Sequence, residues 1–243
     1  MRGLQQTEAS EVDHFVWLHK HGPDDSAELS LSIDSVLRFV NPSAKITVIG
    51  DRPGWYRGHH LPSTPSTIKD VSARLPFRDT QRKIMLAARS PDISDRFVWM
   101  MDDQFFLRPT AASQVDRHWY DPWFRMGVRT WHNLIRVTFQ HLKQRGKSTL
   151  QTATHLPHVF EKHLLEEMFS LYGFPERLLL FEVCYANHWR DPQSAVAYTG
   201  FLRRIPVCLP MTELEQFSEH ILNYCYAGWT PVMRQFLEQR IRG

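Results

Sequence analysis

Phe97-Val98-Trp99-Met100-Met101-Asp102-Asp103-Gln104-Phe105-Phe106-Leu107 is the stretch on which the fold turns. Five apolar residues in a row, mixing aromatic and β-branched side chains, describe a strand buried on both faces. An acidic pair follows at once, and a second apolar triplet resumes after Gln104. Burying an unpaired carboxylate costs several kcal/mol, so Asp102 and Asp103 must meet solvent, a cation or a basic partner.

Two readings compete for the pair. As a polar turn, Asp-Asp-Gln would use Asp103 to cap local backbone amides. As a site, two carboxylates at the carboxyl end of a parallel strand lie where open α/β sheets bind ligands. There they can hold Mg²⁺ or Mn²⁺, hard cations that take carboxylates and bridge phosphate oxygens. The apolar flanks favour the site, because turns seldom sit inside such a run.

Upstream, His14 to His19 reads as a short buried strand, and Lys20-His21-Gly22-Pro23-Asp24-Asp25 as the loop that ends it. Leu29, Leu31, Ile33, Val36, Leu37 and Val40 recur mostly at helical spacing, with Asp25 or Ser26 as N-cap and Asn41-Pro42 as the stop. Lys45 to Gly50 is a second apolar strand, closed by Asp51-Arg52-Pro53-Gly54. This βαβ unit implies a parallel pair. A loop from Leu61 to Ser66 then leads to an expected strand fragment around Ile68 to Val71. A helix between Asp79 and Ser90 carries Arg78, Arg82 and Lys83 near its start. Arg82 and Lys83 are either a cradle for a diphosphate or an exposed basic pair.

The second half is more aromatic, with Trp119, Tyr120, Trp123, Phe124 and Trp131 close together. Val159 to Tyr172 reads as an amphipathic helix behind His155-Leu156-Pro157. Pro231 to Arg242 reads as a last helix, with Val232, Phe236, Leu237 and Ile241 on one side and its charges solvated. His155 can serve as acid, base or phosphate contact near neutral pH, or merely cap and pack. Asn187-His188-Trp189-Arg190, after the apolar stretch Leu178 to Cys184, carries the same ambiguity.

At 243 residues the chain is read as a single α/β domain, with residues 1–110 as a ligand-binding βαβ core and residues 111–243 as a helical, aromatic-rich part on the acceptor side. A formal net charge of +3 is too small to mark a nucleic-acid binder by itself. Cys184, Cys208 and Cys225 leave an odd thiol without zinc-site spacing, so buried packing in a reducing compartment is expected. Residues 1–13 are polar and acidic, unlike a secretory signal, and no apolar run approaches the ~18 to 20 residues of a membrane span. The expected location is the cytoplasm. The sequence has no Walker phosphate loop, dinucleotide glycine fingerprint, His-Glu-x-x-His zinc helix or serine nucleophile elbow.

Taken together, these segments resemble the Stealth-type sugar-phosphate transferases and, more closely in length and segment order, the small bacteriophage-type glycosyltransferases with a GT-A-like (Rossmann-like) fold. The resemblance spans most of the chain. It is carried by the first strand with Gly22-Pro23-Asp24-Asp25, by Gly50-Asp51-Arg52-Pro53, and by Asp92-Ile93-Ser94-Asp95 leading into Phe97 to Leu107. It continues through Thr154-His155-Leu156-Pro157 with Phe160-Glu161-Lys162, Tyr185-Ala186-Asn187, and Gly228 to Arg240. It implies a nucleotide-sugar donor bound at the carboxyl ends of a mainly parallel sheet flanked by helices. Asp102 and Asp103 match the acidic motif that holds metal or donor, and His155 matches a histidine with a catalytic or phosphate-binding role. On this reading Asp103 and His155 are the catalytic candidates. Arg82, Lys83, Asp102 and Asn187 are the candidates for holding the donor. Two departures stand out: Met101 precedes and Gln104 follows the acidic pair, and Cys225-Tyr226 stands where relatives carry an Asn-Asp pair. If that missing aspartate ligates metal in relatives, this chain binds metal weakly or uses Arg82, Lys83 and His155 instead.

Three functions follow as expectations: glycosyl transfer to a hydroxyl, sugar-1-phosphate transfer to a polysaccharide, and silent binding of a nucleotide-sugar. For an acceptor, the resemblance suggests a hydroxymethylated or glycosylated base in duplex phage DNA, modified in the host cytoplasm, with a surface polysaccharide as the rival. Arg125, Arg129, Arg136, Lys143, Arg145 and Lys147 would supply a DNA-binding stripe or are a solvated helix face.

Overall fold

The computed structural model describes residues 12–20, 26–63, 75–205, 208–224 and 228–243. The first half of the chain builds the main sheet. Its elements are β1 (His14–His19), α1 (Ala27–Phe39), β2 (Lys45–Gly50), β3 (His59–Pro62), α2 (Leu75–Arg89), β4 (Arg96–Met101) and β5 (Gln104–Phe106). Then follow α3 (Ala112–Val115), β6 (Trp119–Tyr120), α4 (Thr130–Lys143), β7 (His158–Glu161), α5 (Lys162–Tyr172) and α6 (Phe181–Trp189). The chain finishes with β8 (Val196–Ala197), β9 (Leu202–Ile205), α7 (Met211–Leu214), β10 (Ile221–Tyr224) and α8 (Pro231–Arg242).

The main sheet has the order β3-β2-β1-β4-β7, parallel throughout except for β7, which runs antiparallel along the β4 edge. This is the α/β, mainly parallel architecture expected from the sequence. Strand periodicity explains its layers, because successive side chains point to opposite faces. Phe15, Trp17, Val48, Val98 and Met100 point to one face, under Leu29, Ile33 and Val36 of α1. Val16, Ile49, Phe97 and Trp99 point to the other, against Ile84 and Ala87 of α2, Leu165 and Met168 of α5, and Phe181 of α6. Both faces are covered, so the central strands are apolar at nearly every position.

Smaller sheets complete the molecule. β5 pairs antiparallel with β10, and β10 pairs parallel with β9, so the end of the chain returns to the segment after the acidic pair. β6 and β8 form a short parallel pair. Against the β5–β10–β9 sheet, α8 buries Met233, Phe236, Leu237 and Ile241. Among the described residues no helix is long and apolar enough to cross a membrane.

Several expectations need correction. The helix expected from Val159 begins only at Lys162. The four residues before it form β7, where Phe160 is placed opposite Phe97 of β4, because a short apolar run beside an open strand edge gains more by pairing than by coiling. β3 falls at His59–Pro62, partly inside the segment read as loop, since β2 offers it a ladder that its composition does not advertise. The strand expected at Ile68 to Val71 lies outside the described residues, as do Gly22 to Asp25 and Cys225-Tyr226. Helix α2 starts at Leu75, with Pro76 in its first turn where the missing amide costs nothing. Val232 is 38% exposed, and Met233 takes the core position expected of it. Cys184 is buried as expected, but Cys208 is exposed. Ser26 precedes α1 with φ 62° and makes no capping bond to it; its hydroxyl bonds His19 instead.

At the amino edge of the sheet a polar relay crosses three strands. The Ser94 amide donates to His14 Nδ1 (3.1 Å), which fixes the proton on Nε2. His14 Nε2 then donates to Thr47 Oγ1 (2.8 Å), and the Thr47 hydroxyl donates to His59 Nδ1 (2.9 Å). A protonated His14 cannot accept the Ser94 amide. Burial, moderated by Asp13, lowers its pKa from 6.5 to about 4. The unfolded chain therefore takes up a proton between pH 6.5 and 4 that the folded chain refuses, and the stability contributed by neutral His14 is lost across that window as pH falls. We expect the difference in thermal midpoint between the wild type and His14→Gln to shrink steadily from pH 7 to pH 4. A difference independent of pH would show that His14 titrates alike in both states.

Candidate functional site

Strand β4 ends at Met101, and Asp102-Asp103 is the two-residue turn that carries the chain into β5. The backbone thus takes the turn reading, at the carboxyl edge of the parallel strands where a site is expected. The turn is pinned from within: Gln104 is buried, and its side-chain carbonyl accepts the Met101 amide at 3.0 Å. The two carboxylates then diverge in environment.

Asp102 remains partly exposed. Its Oδ2 stands 3.0 Å from His19 Nδ1, at the carboxyl end of β1. The other ring nitrogen of His19 bonds the Ser26 hydroxyl at 2.8 Å, which holds the imidazole in the plane that Asp102 needs. Asp103 is turned inward. Its backbone carbonyl accepts from Asn223 Nδ2 of β10 at 3.0 Å. One of its carboxylate oxygens is buried without a hydrogen-bond partner among the described residues. Burial first, and the neighbouring charge of Asp102 second, push the Asp103 pKa up to about 7.

Lys83 reaches the same edge from α2. It is buried, donates to the His19 carbonyl (3.1 Å) and pairs with Asp79 at 2.8 Å. Gly50 makes room for it. At φ 119° a side chain is strained, and a Cβ there would stand 2.1 Å from the His19 carbonyl oxygen and 3.0 Å from Lys83 Nζ. Arg82, the next residue on the helix, points about 100° away and is half-buried. The two do not form one cradle, because adjacent helical residues do not share a face.

Beyond Met101 and Gln104 opens a cavity of about 550 Å³. Its apolar wall is Phe77, Trp99, Trp131, Leu179 and Phe181, and its polar groups include Arg129, His155, His158, Glu182 and Arg204. His155 adopts φ 56°, an uncommon left-handed conformation for a residue with a side chain. Its Nδ1 is buried without a partner among the described residues. Burial, then Arg204, lower its pKa to about 4. Burial, then Arg190, lower that of His158 to about 3. Burial thus favours the neutral form of both rings.

Glu182 is the residue that the sequence reading missed. It is buried in the first turn of α6, and burial raises its pKa to about 7. The available signal was a single carboxylate inside the apolar stretch Leu178 to Cys184. Such a group is costly unless it has a task or a partner.

The sequence candidates therefore separate into three places. Asp102, Asp103 and Lys83 gather at the sheet edge. His155 lines the adjoining cavity, with Glu182. Asn187 joins neither: its Oδ1 accepts from Ser148 Oγ (2.6 Å) and the Leu150 amide (2.7 Å), and its Nδ2 donates to the carbonyls of Leu150 (2.8 Å) and Val183 (2.9 Å). It stitches α6 to the segment before the cavity.

Among the described residues no group of three His, Cys, Asp or Glu side chains is placed to hold a metal ion. A closed protein cage is therefore not what these residues fit. They fit an open site for Mg²⁺ or Mn²⁺, in which one or two carboxylates hold the cation and phosphate oxygens complete its shell. The Asp103 carboxylate, repelled by Asp102 and with one oxygen buried without a partner among the described residues, is the group such a cation would satisfy.

Four of the six basic residues read as a DNA stripe have defined surroundings. Arg129 lines the cavity. Arg136 donates to Asn133 and to the Gly127 carbonyl. Arg145 stacks on Tyr172 and donates to the carbonyls of His141 and Leu171, and Lys147 donates to the His188 carbonyl.

No protein-family model and no curated protein matches the sequence. Among solved structures, the chain is similar to a glycosyltransferase involved in the glycosylation of the major capsid of PBCV-1. The TM-score is 0.45 at 9% identity, covering 94% of this chain and 98% of that one. It is also similar to the galactosyltransferase LgtC in complex with donor and acceptor sugar analogs, with a TM-score of 0.48 at 10% identity, covering 94% of this chain and 95% of that one. The architecture described above rests on the strand order itself.

Replacing Asn187 by Ala leaves the Leu150 amide and carbonyl without their buried partners. We expect a loss of roughly 2–4 kcal/mol, read as a lower urea midpoint at unchanged slope. Wild-type stability would return Asn187 to the ligand-binding candidates.

Proposed function

We propose that the protein is a glycosyltransferase that moves a sugar from a nucleotide-sugar donor to a hydroxyl acceptor. The observation that carries this reading is the pairing of an acidic turn at the carboxyl edge of a parallel sheet with an adjoining cavity that presents a buried carboxylic acid. The resemblance in segment order supports the same reading. The donor diphosphate would sit at the edge beside Asp102 and Asp103, and the sugar and acceptor in the cavity. Arg129 and Arg204 face that cavity and are suited to phosphate oxygens.

In the reaction, the acceptor oxygen forms a bond to the anomeric carbon, the bond from that carbon to the diphosphate breaks, and the nucleoside diphosphate leaves. The hydroxyl proton goes to a base. Glu182, with a pKa near 7, is matched to that task, because a base poised near the working pH combines availability with strength. His155, kept neutral by burial, is suited to orient the acceptor through a hydrogen bond. The aromatic walls keep bulk water from the reacting carbon. Bound at Asp102 and Asp103, Mg²⁺ or Mn²⁺ would supply Lewis-acid stabilisation of the departing diphosphate.

The test is purified protein with UDP- and GDP-sugars and Mn²⁺, offered hydroxymethylated duplex DNA and oligosaccharides in separate reactions, with products identified by mass spectrometry. Release of a nucleoside diphosphate with a glycosylated product is the expected result. A nucleoside monophosphate would reassign the protein to sugar-1-phosphate transfer, and donor binding without release would make it a silent binder.

Two variants bear on the roles. Glu182→Gln should lower kcat by roughly 10²- to 10⁴-fold with the fold intact by circular dichroism. In the wild type kcat/KM should rise through about pH 7 as Glu182 and Asp103 ionise, and Glu182→Gln should flatten that rise by the share Glu182 carries. Asp102→Asn should weaken Mn²⁺ binding measured calorimetrically in the presence of nucleoside diphosphate. Unchanged turnover in Glu182→Gln, or unchanged Mn²⁺ affinity in Asp102→Asn, would remove the corresponding role.

A further inference from the structure

A second recess, of about 590 Å³, shares Leu179 with the cavity but opens among α2, α4 and the segment before α6. The transferase reading makes no use of it. Arg78 comes from α2, His141 from α4 and Arg177 from the connecting segment, with Thr130 and Asn133 alongside and Glu176 as the acid lining the recess. Leu134, Val137 and Leu178 supply an apolar wall.

Two polar atoms in this lining are buried without hydrogen-bond partners among the described residues: Arg78 Nε and His141 Nδ1. A guanidinium stays charged at any physiological pH, so a buried donor on it calls for an acceptor, best an anionic one. The surroundings are net positive. Burial, Arg177 and Arg145 all lower the pKa of His141, and Arg145 adds its charge from beside the recess, where it bonds the His141 carbonyl. Glu176 balances only one of these cations. The volume lies within the roughly 300–1,000 Å³ of small-molecule sites.

From this convergence we infer that the recess binds a phosphoryl-bearing small molecule, with phosphate oxygens taken by Arg78, Arg177 and His141. Leu134, Val137 and Leu178 offer apolar surface to a nucleoside attached to that phosphate. This site is separate from the donor edge, and it stands or falls independently of the transferase reading.

The test follows the imidazole resonances of His141 by NMR in the whole protein, titrated first with inorganic phosphate and then with UMP. Both probes should shift His141 saturably and raise its pKa, since an adjacent anion favours the imidazolium against Arg78, Arg145 and Arg177. UMP saturating at least tenfold below phosphate would place the nucleoside on the apolar wall; equal affinities would restrict the site to the phosphoryl group. Arg177→Gln and Arg78→Gln, each checked for folding by thermal midpoint, should weaken either probe at least tenfold, whereas Glu182→Gln should leave both unchanged. A His141 that does not respond in the wild type overturns the proposal. So does a response that survives both arginine variants, or one that is lost in Glu182→Gln.

Discussion

Strand β4 is buried from both sides, and most of the structure depends on that condition. Val98 and Met100 need the α1 side filled, while Phe97 and Trp99 need the α2, α5 and α6 side filled. Once both layers are in place, the chain cannot leave β4 without presenting polar backbone at the end of an apolar strand. Asp102-Asp103 is the solution. The pair turns the chain into β5, Gln104 closes the turn onto the Met101 amide, and β10 returns from the far end of the chain to pair with β5. The acidic turn is thus structural and sits at the carboxyl edge of the parallel strands.

The same burial sets protonation states, and in opposite directions for acids and bases. Asp103 and Glu182 rise to about 7 because low polarity disfavours their anions. His155 and His158 fall to about 4 and about 3 because it disfavours their cations. Near neutral pH the cavity therefore holds neutral imidazoles beside a carboxylic acid at the midpoint of its titration. Burial is the first cause of each of these shifts. Positive charge on the cavity lining comes from Arg129 and Arg204.

Polar groups away from the site are engaged in holding elements together. Asp116 takes Arg96 at the start of β4 and Arg190 at the end of α6. Asn187 fixes α6 to the segment that precedes the cavity, and the His14 relay joins β1, β2 and β3 at the amino edge. Each of these side chains has the residue type of a ligand-binding group, which is why residue type alone misplaces Asn187. What separates it from Glu182 is position: the amide of Asn187 bonds at both ends away from the cavity, whereas Glu182 lines the cavity wall.

Short-range physics was legible in the chain. The apolar runs at His14, Lys45 and Phe97 determined the parallel strands, the spacing from Leu29 to Val40 determined α1, and the acidic pair marked the carboxyl edge, because side-chain periodicity and the cost of burying carboxylates act within a few residues. Long-range pairing was not legible. β7 at Val159, β3 at His59, the return of β10 to β5 and the burial of Glu182 each depend on a partner outside the segment itself. An edge strand forms where a neighbour offers a ladder, and a carboxyl group becomes a poised acid only when other segments remove its water. Those decisions belong to the tertiary structure, since burial is a property of the surroundings and not of the residue.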